Sequence, residues 1–552
     1  MVYNRLNSKI KIGLLIDSNN LEAWIHEIIR FIKSFDYATL ELVLMNKSYG
    51  PAKKKHSLDL YNLYRYFDSK MNNPRPNALE KIDASNLLAG IPRIDVDETQ
   101  SLPIINESLT ETIKNYKIDL FLQFGFANID KLSLSKTSKY GIWYFFHGDI
   151  ENPENTPPGL MEVLKGRGEI GAYLLMASDK IASEKILYQS FTSVGKTSMR
   201  ENNNINYWKS VSFIPRVLKE LSDIGEQKFL EKVSRSVRPP NRHTAGQYLA
   251  PNNMQMLKAL LPFAIKKISN KIRKLFYFEQ WVLLFSYTEP NLSPDFRNFK
   301  EIMPAKDRFW ADPHIILYDD KYYIFIEEMI FKNRHAHISV ITLDKHGNHG
   351  QPRIVLQKPY HLSYPFVFRY DNQYYMIPET SENKTIELYR CTGFPDNWEF
   401  VMNLMENIEA VDASLLERDG KWWMFVNIRE HPGASLSEEL FIFHSTELLT
   451  NKWKPHPKNP IVSDVKNARQ AGKIFKMNGN LYRVGQDCSV RYGYAMNINQ
   501  ITKLTEDEYS ETRVQEITPK WKNRLLGTHT LNFQDGLAVI DAFILRKKSV
   551  SQ

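Results

Sequence analysis

Trp310-Ala311-Asp312-Pro313, Leu362-Ser363-Tyr364-Pro365, Ala410-Val411-Asp412-Ala413, Ala468-Arg469-Gln470-Ala471 and Gly527-Thr528-His529-Thr530 recur about every fifty residues through the second half of the chain. A short apolar run, a turn and an aromatic run follow each opening. They are His314–Leu317 then Tyr322–Ile326, Phe366–Phe368 then Tyr374–Ile377, and Leu415–Leu416 then Trp422–Val426. The last two copies read Ile474–Phe475 then Leu481–Val484, and Leu531–Phe533 then Leu537–Ile540. Repeats of this period whose strands cannot bury both faces alone predict a five-bladed β-propeller, each blade covered by its neighbours around a central channel.

In such a ring the first residues of each innermost strand face the channel mouth. Here they are Asp312, Tyr364, Asp412, Arg469 and His529, and the ends of the second strands add Glu327, Glu328, Glu379, Gln486 and Asp541. Carboxylates, a guanidinium and amides thus converge where several blades can hold one polar ligand. The bland reading of any single carboxylate is a hydrogen-bonded staple between blades. For the set, the expectation is a binding or catalytic mouth.

A chain of 552 residues exceeds what one hydrophobic core usually serves, and 43% hydrophobic content is ordinary for a globular protein. Two cysteines, Cys391 and Cys488, build no disulfide framework, which favours a reducing compartment. Met1 to Ile10 has no long apolar stretch before a cleavage site, and Ile10–Ile16 is too short to span a bilayer. The expected location is the cytoplasm.

The net charge of +9 is concentrated in one place. Between Lys209 and Phe276 fourteen Lys and Arg face four Asp and Glu, enough to account for the whole imbalance. Within it Leu261, Ile265, Ile268, Ile272 and Leu275 recur at helical spacing, and Lys258, Lys266, Lys267, Lys271, Arg273 and Lys274 take other positions. This predicts a basic amphipathic helix over 256–276, starting near Pro262. Two roles are open to it: peripheral contact with an anionic membrane surface at the inner face, or packing as a linker helix on a neighbouring domain. Nucleic acid is not an expected partner, because aromatic and basic residues do not interleave along any strand.

The first two hundred residues alternate strands and helices. Lys9–Asp17 reads as a strand ending in an Asp-Ser-Asn cap, Leu21–Ser34 as a helix, Leu40–Met45 as a strand, Ser108–Tyr116 as a helix, and Ile118–Phe124 and Tyr140–Phe146 as strands. This alternation predicts a parallel, doubly wound sheet. No Gly-x-Gly-x-x-Gly follows the first strand, so the dinucleotide fingerprint is absent.

Gly141-Ile-Trp-Tyr-Phe-Phe-His147-Gly148-Asp149, then Pro157-Pro158-Gly159 and Ile170-Gly171-Ala172, are the chemically richest part of this half. The layout is similar to the N-terminal domain of formyltransferases that take a formyl-tetrahydrofolate donor. There an Asn and a His steady the oxyanion and an Asp orients the His. His147 matches the family His, whereas Phe145 stands in place of the Asn and Ala182 in place of the Asp. Phe donates no hydrogen bond to an oxyanion and Ala fixes no tautomer. The resemblance therefore implies a formyltransferase-like fold with a remnant site at His147 and Asp149.

In the second half, Lys306-Asp-Arg-Phe-Trp-Ala-Asp312-Pro, His361-Leu-Ser-Tyr-Pro-Phe366, Met376-Ile-Pro-Glu379-Thr-Ser, Ala468-Arg-Gln-Ala-Gly472, Gln486-Asp-Cys-Ser-Val-Arg-Tyr-Gly493 and Gly527-Thr-His-Thr530 stand together. They resemble the N-terminal module of glucosamine inositolphosphorylceramide transferases, and the layout is similar to bacterial proteins that join such a module to a formyltransferase-like domain. A more distant similarity is to five-bladed glycoside hydrolases, whose inner strands also open with Ala-Asp-Pro. That likeness implies Asp312 as base or nucleophile, Glu379 as general acid, and Asp412 as the residue that orients substrate or tunes the acid. Glu328, Tyr364, Arg469, Gln486, Asp487 and His529 would then bind substrate. Trp310, Tyr364 and Tyr492 are candidates for stacking on sugar faces, with blade packing the alternative for Trp310.

His335-Ala-His337 lacks a third metal ligand and reads as a strand edge, so no metal site is expected. Asp319-Asp320 reads as a turn. Neither a Walker loop nor a Gly-x-Ser-x-Gly elbow is present.

These readings combine into a multidomain α/β plus all-β chain. The expected parts are a formyltransferase-like doubly wound domain over 1–205, a basic helical linker over 206–290 and a five-bladed propeller over 291–552. The expected function is a carbohydrate-active enzyme performing glycosyl transfer in surface polysaccharide or glycolipid synthesis. Its substrate would be a sugar or glycolipid and its donor a sugar nucleotide. The alternatives are a sugar N-formyltransferase with a glycan-binding propeller, which alone would need formyl-tetrahydrofolate, and a non-enzymatic glycan-binding scaffold.

Overall fold

The computed structural model describes residues 8–47, 59–97, 107–126, 129–150, 156–181, 184–195, 197–239 and 249–548. Ala182 lies outside them. Two compact units form, one of Met1–Phe263 with His431–Ala434 and one of Ala264–Glu430 with Ser435–Gln552.

The first unit is built on a seven-stranded sheet in the order Arg93–Val96, Ala38–Asn46, Ile10–Ile16, Leu120–Gln123, Ile142–Gly148, Glu169–Ala177, Lys185–Ser193. The run Ile10–Ile16 is central because it is apolar on both faces. Ile12, Leu14 and Ile16 enter one core, whereas Leu15 enters the opposite one with Leu42, Leu44 and Phe121. The first five strands are parallel, but Glu169–Ala177 runs against them and pairs antiparallel with both its neighbours, so the sheet is mixed at one edge. The link from Ala177 to Lys185 is too short for the crossover that a parallel neighbour needs.

Three local expectations change. Asp17-Ser-Asn does not cap the first helix, because Asn20–Glu22 pairs with Lys81–Asp83 and the helix begins at Ala23. Asp17 instead accepts hydrogen bonds from Asn46 Nδ2 at 3.0 Å and Phe126 N at 2.9 Å. Residues expected in a linker from 206 onward belong in part to this unit's core. Helices Phe213–Ile224 and Glu226–Arg235 bury Phe213, Val217, Leu221, Phe229 and Val233 beside the sheet and keep their charges outside. The basic helix runs Asn253–Phe276, with Pro262 inside it and not at its start. Asn252 and Gln255 set its beginning: each side-chain oxygen accepts the other's backbone N–H, both at 2.9 Å.

The second unit contains the five-bladed propeller. Its blades open with Arg308–Tyr318, Ser363–Tyr370, Ala410–Arg418, Arg469–Gln470 and Leu531–Gln534, and each continues outward through antiparallel neighbours. The alternation of side chains explains how the blades adhere. In the second strand of blade one, Ile324 and Ile326 face blade five, sharing a cluster with Leu537 and Val539, whereas Phe325 faces blade two with Val367 and Met376. Likewise Met424 and Val426 of blade three join blade two, and Trp423 and Phe425 join blade four. Each interface buries several large apolar side chains, at roughly 1.5–3 kcal/mol apiece.

Blade five is assembled from both ends of this unit. Leu537–Lys547 pairs residue for residue with Tyr277–Tyr287, from Leu537 opposite Tyr287 to Lys547 opposite Tyr277. The propeller therefore begins at 277 and not at 291, since without that strand the fifth blade lacks its third member. Leu283 of this strand is fully buried between blades five and one. Leu283→Ala is expected to cost about 2–5 kcal/mol of propeller stability, read as a lowered denaturant midpoint.

Candidate functional site at the propeller mouth

A backbone device repeated in three blades presents the mouth. The inner-strand register shifts between Ala311 and His314, between Ser363 and Phe366, and between Val411 and Ser414. Within each bulge one non-glycine residue takes a left-handed conformation: Asp312 at φ 51°, Tyr364 at φ 40° and Asp412 at φ 55°. Asp tolerates this region through its short polar side chain, whereas for Tyr it is a strained position. Bulges re-aim a side chain, and strain kept at equivalent places in successive blades marks a site.

Asp312 sits in one group with His529 and Asp541. Asp312 Oδ1 accepts from Thr530 Oγ1 at 2.7 Å and lies 3.5 Å from His529 Nε2, and its Oδ2 accepts from Tyr364 N at 3.2 Å. Asp541 Oδ2 is 2.5 Å from His529 Nδ1 and accepts the Asp312 N–H at 3.1 Å. Its Oδ1 accepts the N–H groups of His529 and Thr530, at 2.9 and 3.0 Å. Burial pushes the Asp312 carboxyl up to about 7, with His529 opposing and the carboxylates Glu327, Asp412 and Asp541 adding to the rise. Burial disfavours charge on His529, but Asp541 and Asp312 outweigh it and raise the imidazole to about 9. Trp281, from the strand that closes blade five, stacks on the imidazole at 4.0 Å.

Glu379, Arg469 and Asp412 form the second group. Arg469 Nε donates to Asp412 Oδ2 at 2.7 Å, and its Nη2 lies 3.4 Å from Asp412 Oδ1 and 3.8 Å from Glu379 Oε2. Ser363 Oγ donates to Glu379 Oε2 at 2.8 Å. Burial and the Asp412 charge raise Glu379 to about 7 against Arg469, Ser363 and His361. Asp412 is also raised by burial, with Arg469 opposing. Beside them His361 Nε2 meets Glu327 Oε1 at 3.2 Å; burial disfavours its charge, but Glu327, Glu379 and Glu382 lift it to about 9. Tyr492 covers this edge: the Arg469 guanidinium lies 4.8 Å from its ring centre, and the ring meets His529 edge-on at 5.3 Å.

The structure thus brings Asp312, Glu379, Asp412, Arg469 and His529 together, and it places other candidates elsewhere. Glu328 is a structural staple. Its Oε1 accepts from Arg308 at 3.0 Å and Trp310 Nε1 at 3.1 Å, and its Oε2 from His337 Nε2 at 3.2 Å and Ser339 at 2.7 Å. Burial opposes its charge, but these four partners hold it down at about 2. Trp310 is accordingly blade packing, in the cluster between blades one and five. Tyr364 is fully buried, its hydroxyl shared with Ser414 Oγ at 2.9 Å and Gly472 N at 3.0 Å, so its ring offers no face to a ligand. Gln486 is consumed by Gln470 O at 2.8 Å and Cys488, and Asp487 accepts from Ser489 N at 2.8 Å.

His335 lies 3.1 Å from Glu382, away from buried His337, and Asp319 and Asp320 are left-handed turn residues. Among the described residues, Asp312, His529 and Asp541 are close enough to share one cation, a geometry the expectation of no metal site did not foresee. Trp281 and His361 were also missed. Trp281 lies before the first repeat, and His361 stands two residues ahead of its blade's inner strand, although the aromatic run Trp281–Phe285 resembles the blade strands.

In the first unit, His147 Nε2 lies 3.0 Å from Ser210 Oγ, and burial lowers its imidazole to about 3. Asp149 pairs with Arg167 at 2.8 Å. Phe145 packs beside His147 and Trp24.

Residues 300–532 match the family model described as glucosamine inositolphosphorylceramide transferase 1, N-terminal. Over 209 residues the chain is 38% identical to glucosamine inositolphosphorylceramide transferase 1 of Oryza sativa subsp. japonica, covering 37% of this chain and 28% of the rice protein. Over 231 residues it is 33% identical to the Arabidopsis thaliana protein of that name, covering 41% of this chain and 30% of that one. The matched region thus spans less than a third of these relatives' length. Among solved structures, a family 117 glycoside hydrolase of Zobellia galactanivorans aligns with a TM-score of 0.31 at 12% identity, covering 48% of this chain and 90% of that one. An exo-1,5-α-L-arabinanase from a bovine ruminal metagenomic library aligns at 0.30 and 16% identity, covering 44% and 94%.

Two stability tests separate staple from site. Glu328→Gln replaces an acceptor oxygen with a donor facing His337 and Ser339, and is expected to cost roughly 3–5 kcal/mol in denaturant unfolding. His529 has a folded pKa above its unfolded value of 6.5, so its stabilisation is full below that pH and is lost as pH rises through about 9. Melting temperature is therefore expected to fall between pH 7 and 10 in the wild type and to fall less in His529→Gln.

Proposed function

We propose that the propeller mouth is a carbohydrate-active enzyme site performing glycosyl transfer, in the synthesis of a surface polysaccharide or glycolipid. The observation that carries this reading is Glu379, a buried carboxyl lifted to about 7 with one oxygen bonded to Ser363. Its Oε1 has no hydrogen-bond partner among the described residues. A carboxyl that is half protonated near neutrality, with one oxygen available, suits a general acid for a leaving oxygen. Asp312, held across the mouth by Thr530, Tyr364 N and the His529 cation, suits the group that takes the proton from an attacking hydroxyl. Asp412 and Arg469 then fix Glu379 by charge, Asp412 raising it and Arg469 limiting the rise.

His529 and Arg469 bring positive charge to the same mouth, which favours a donor with an anionic leaving group such as a sugar nucleotide. Tyr492, nearly half exposed, is the aromatic face available to a sugar ring. The names of the matched family model and relatives agree with transfer of a sugar to a glycolipid. Sugar N-formyl transfer at His147 has less support, because burial lowers that imidazole to about 3 and keeps it neutral.

The test is transfer from a panel of sugar nucleotides to glycan and glycolipid acceptors. Glu379→Gln and Asp312→Asn are each expected to lower kcat about 10²–10⁴-fold with folding retained. Because the acid form of Glu379 exists below about 7, kcat/KM is expected to fall as pH rises through that value, and Glu379→Gln to lack that limb. Ligand affinity without turnover would assign the propeller to a glycan-binding scaffold, and turnover unchanged in both variants would overturn the proposal.

A further inference from the structure

The helix Asn253–Phe276 carries two different apolar faces. Met256 and Ala259, with Leu260 and Phe263, pack on Tyr61, Leu160, Met161 and Leu164. The other face joins no core cluster among the described residues. Leu257, Leu261, Ile265, Ile268, Ile272 and Leu275 are each 52–66% exposed. At about 100° per residue these six fall within an arc of roughly 80°. Phe276, 60% exposed, continues the stripe.

An uninterrupted row of large aliphatic side chains in water over five turns marks an interaction surface. Its charge says which kind. From Asn253 to Phe276 there is no Asp or Glu, and Lys258, Lys266, Lys267, Lys271, Arg273 and Lys274 take other positions around the stripe. Lys548 adds a further cation at the helix end, its Nζ donating to Lys274 O at 2.8 Å. No helix among the described residues is long and apolar enough to cross a membrane. An exposed aliphatic stripe flanked only by cations fits the interface of a bilayer whose headgroups are anionic, the stripe entering the acyl boundary and the lysines meeting phosphates.

We propose that the helix Asn253–Phe276 lies in the surface of an anionic lipid membrane, with the Leu257–Leu275 stripe inserted. This does not rest on the glycosyl-transfer reading, although it would bring the propeller to a lipid-borne acceptor.

The test is sedimentation of the full chain with neutral phosphatidylcholine vesicles and with vesicles containing about a third phosphatidylglycerol. At least tenfold tighter partitioning to the anionic vesicles is expected, weakening as salt is raised. Ile265→Glu with Ile268→Glu and Ile272→Glu should abolish binding while leaving the melting temperature unchanged, since these half-exposed side chains belong to no core cluster among the described residues. Lys266→Glu with Lys271→Glu and Lys274→Glu should weaken it at least tenfold. Equal binding to both vesicle types, or indifference to either triple variant, overturns the proposal. So does failure to bind vesicles together with self-association that the isoleucine variant abolishes, which would assign the face to a second copy of the chain.

Discussion

The pairing of Tyr277–Tyr287 with Leu537–Lys547 is the constraint on which the propeller and its mouth both depend. Five blades each cover a neighbour, but only a closed ring leaves none uncovered. Closure here joins strands more than two hundred residues apart, so its loop entropy must be met by the apolar contacts of blades one and five. The same strand carries Asp541, opposite Leu283. That carboxylate accepts N–H groups from His529 and Thr530 of its own blade and from Asp312 of blade one. Closing the ring and building the Asp312–His529 side of the mouth therefore use the same strand.

The mouth concentrates charge that burial makes costly. Asp312, Glu379 and Asp412 are all raised by desolvation, and each has a cation beside it: His529 for Asp312, and Arg469 for the other two. The fold tolerates this because these cations offset the lost hydration, helped by Thr530 and the Tyr364 N–H at Asp312 and by Ser363 at Glu379. Glu328 is the contrast. With four donors it is held ionised and spent on structure, whereas Glu379 retains an oxygen and titrates near neutrality. Two glutamates at the outer ends of equivalent second strands thus differ in role through their partners.

Much of the propeller was legible because its determinants are local and repeated. The openings at Asp312, Tyr364 and Asp412 correspond to the three left-handed bulges, and the aromatic runs after them are the second strands. What could not be read locally was which polar residue is consumed by a neighbour. Tyr364, Glu328 and Gln486 look like Asp312 and Glu379 in the sequence, and only their surroundings separate them. In the first unit the alternation of strands and helices identified an α/β sheet. The antiparallel pairing of the last two strands escaped notice because it follows from the length of the link between Ala177 and Lys185.

The sequence by itself determined the number of blades, the strand faces and the amphipathic pattern of the basic helix, since each follows from a short period in neighbouring residues. The tertiary structure alone decided that Tyr277–Tyr287 completes the fifth blade and that Asp541 binds across the closure. It also decided that the helix's second apolar stripe is left in water. These depend on which distant surfaces meet and on what remains when the apolar faces have found their partners, and neither is encoded in any local stretch of chain.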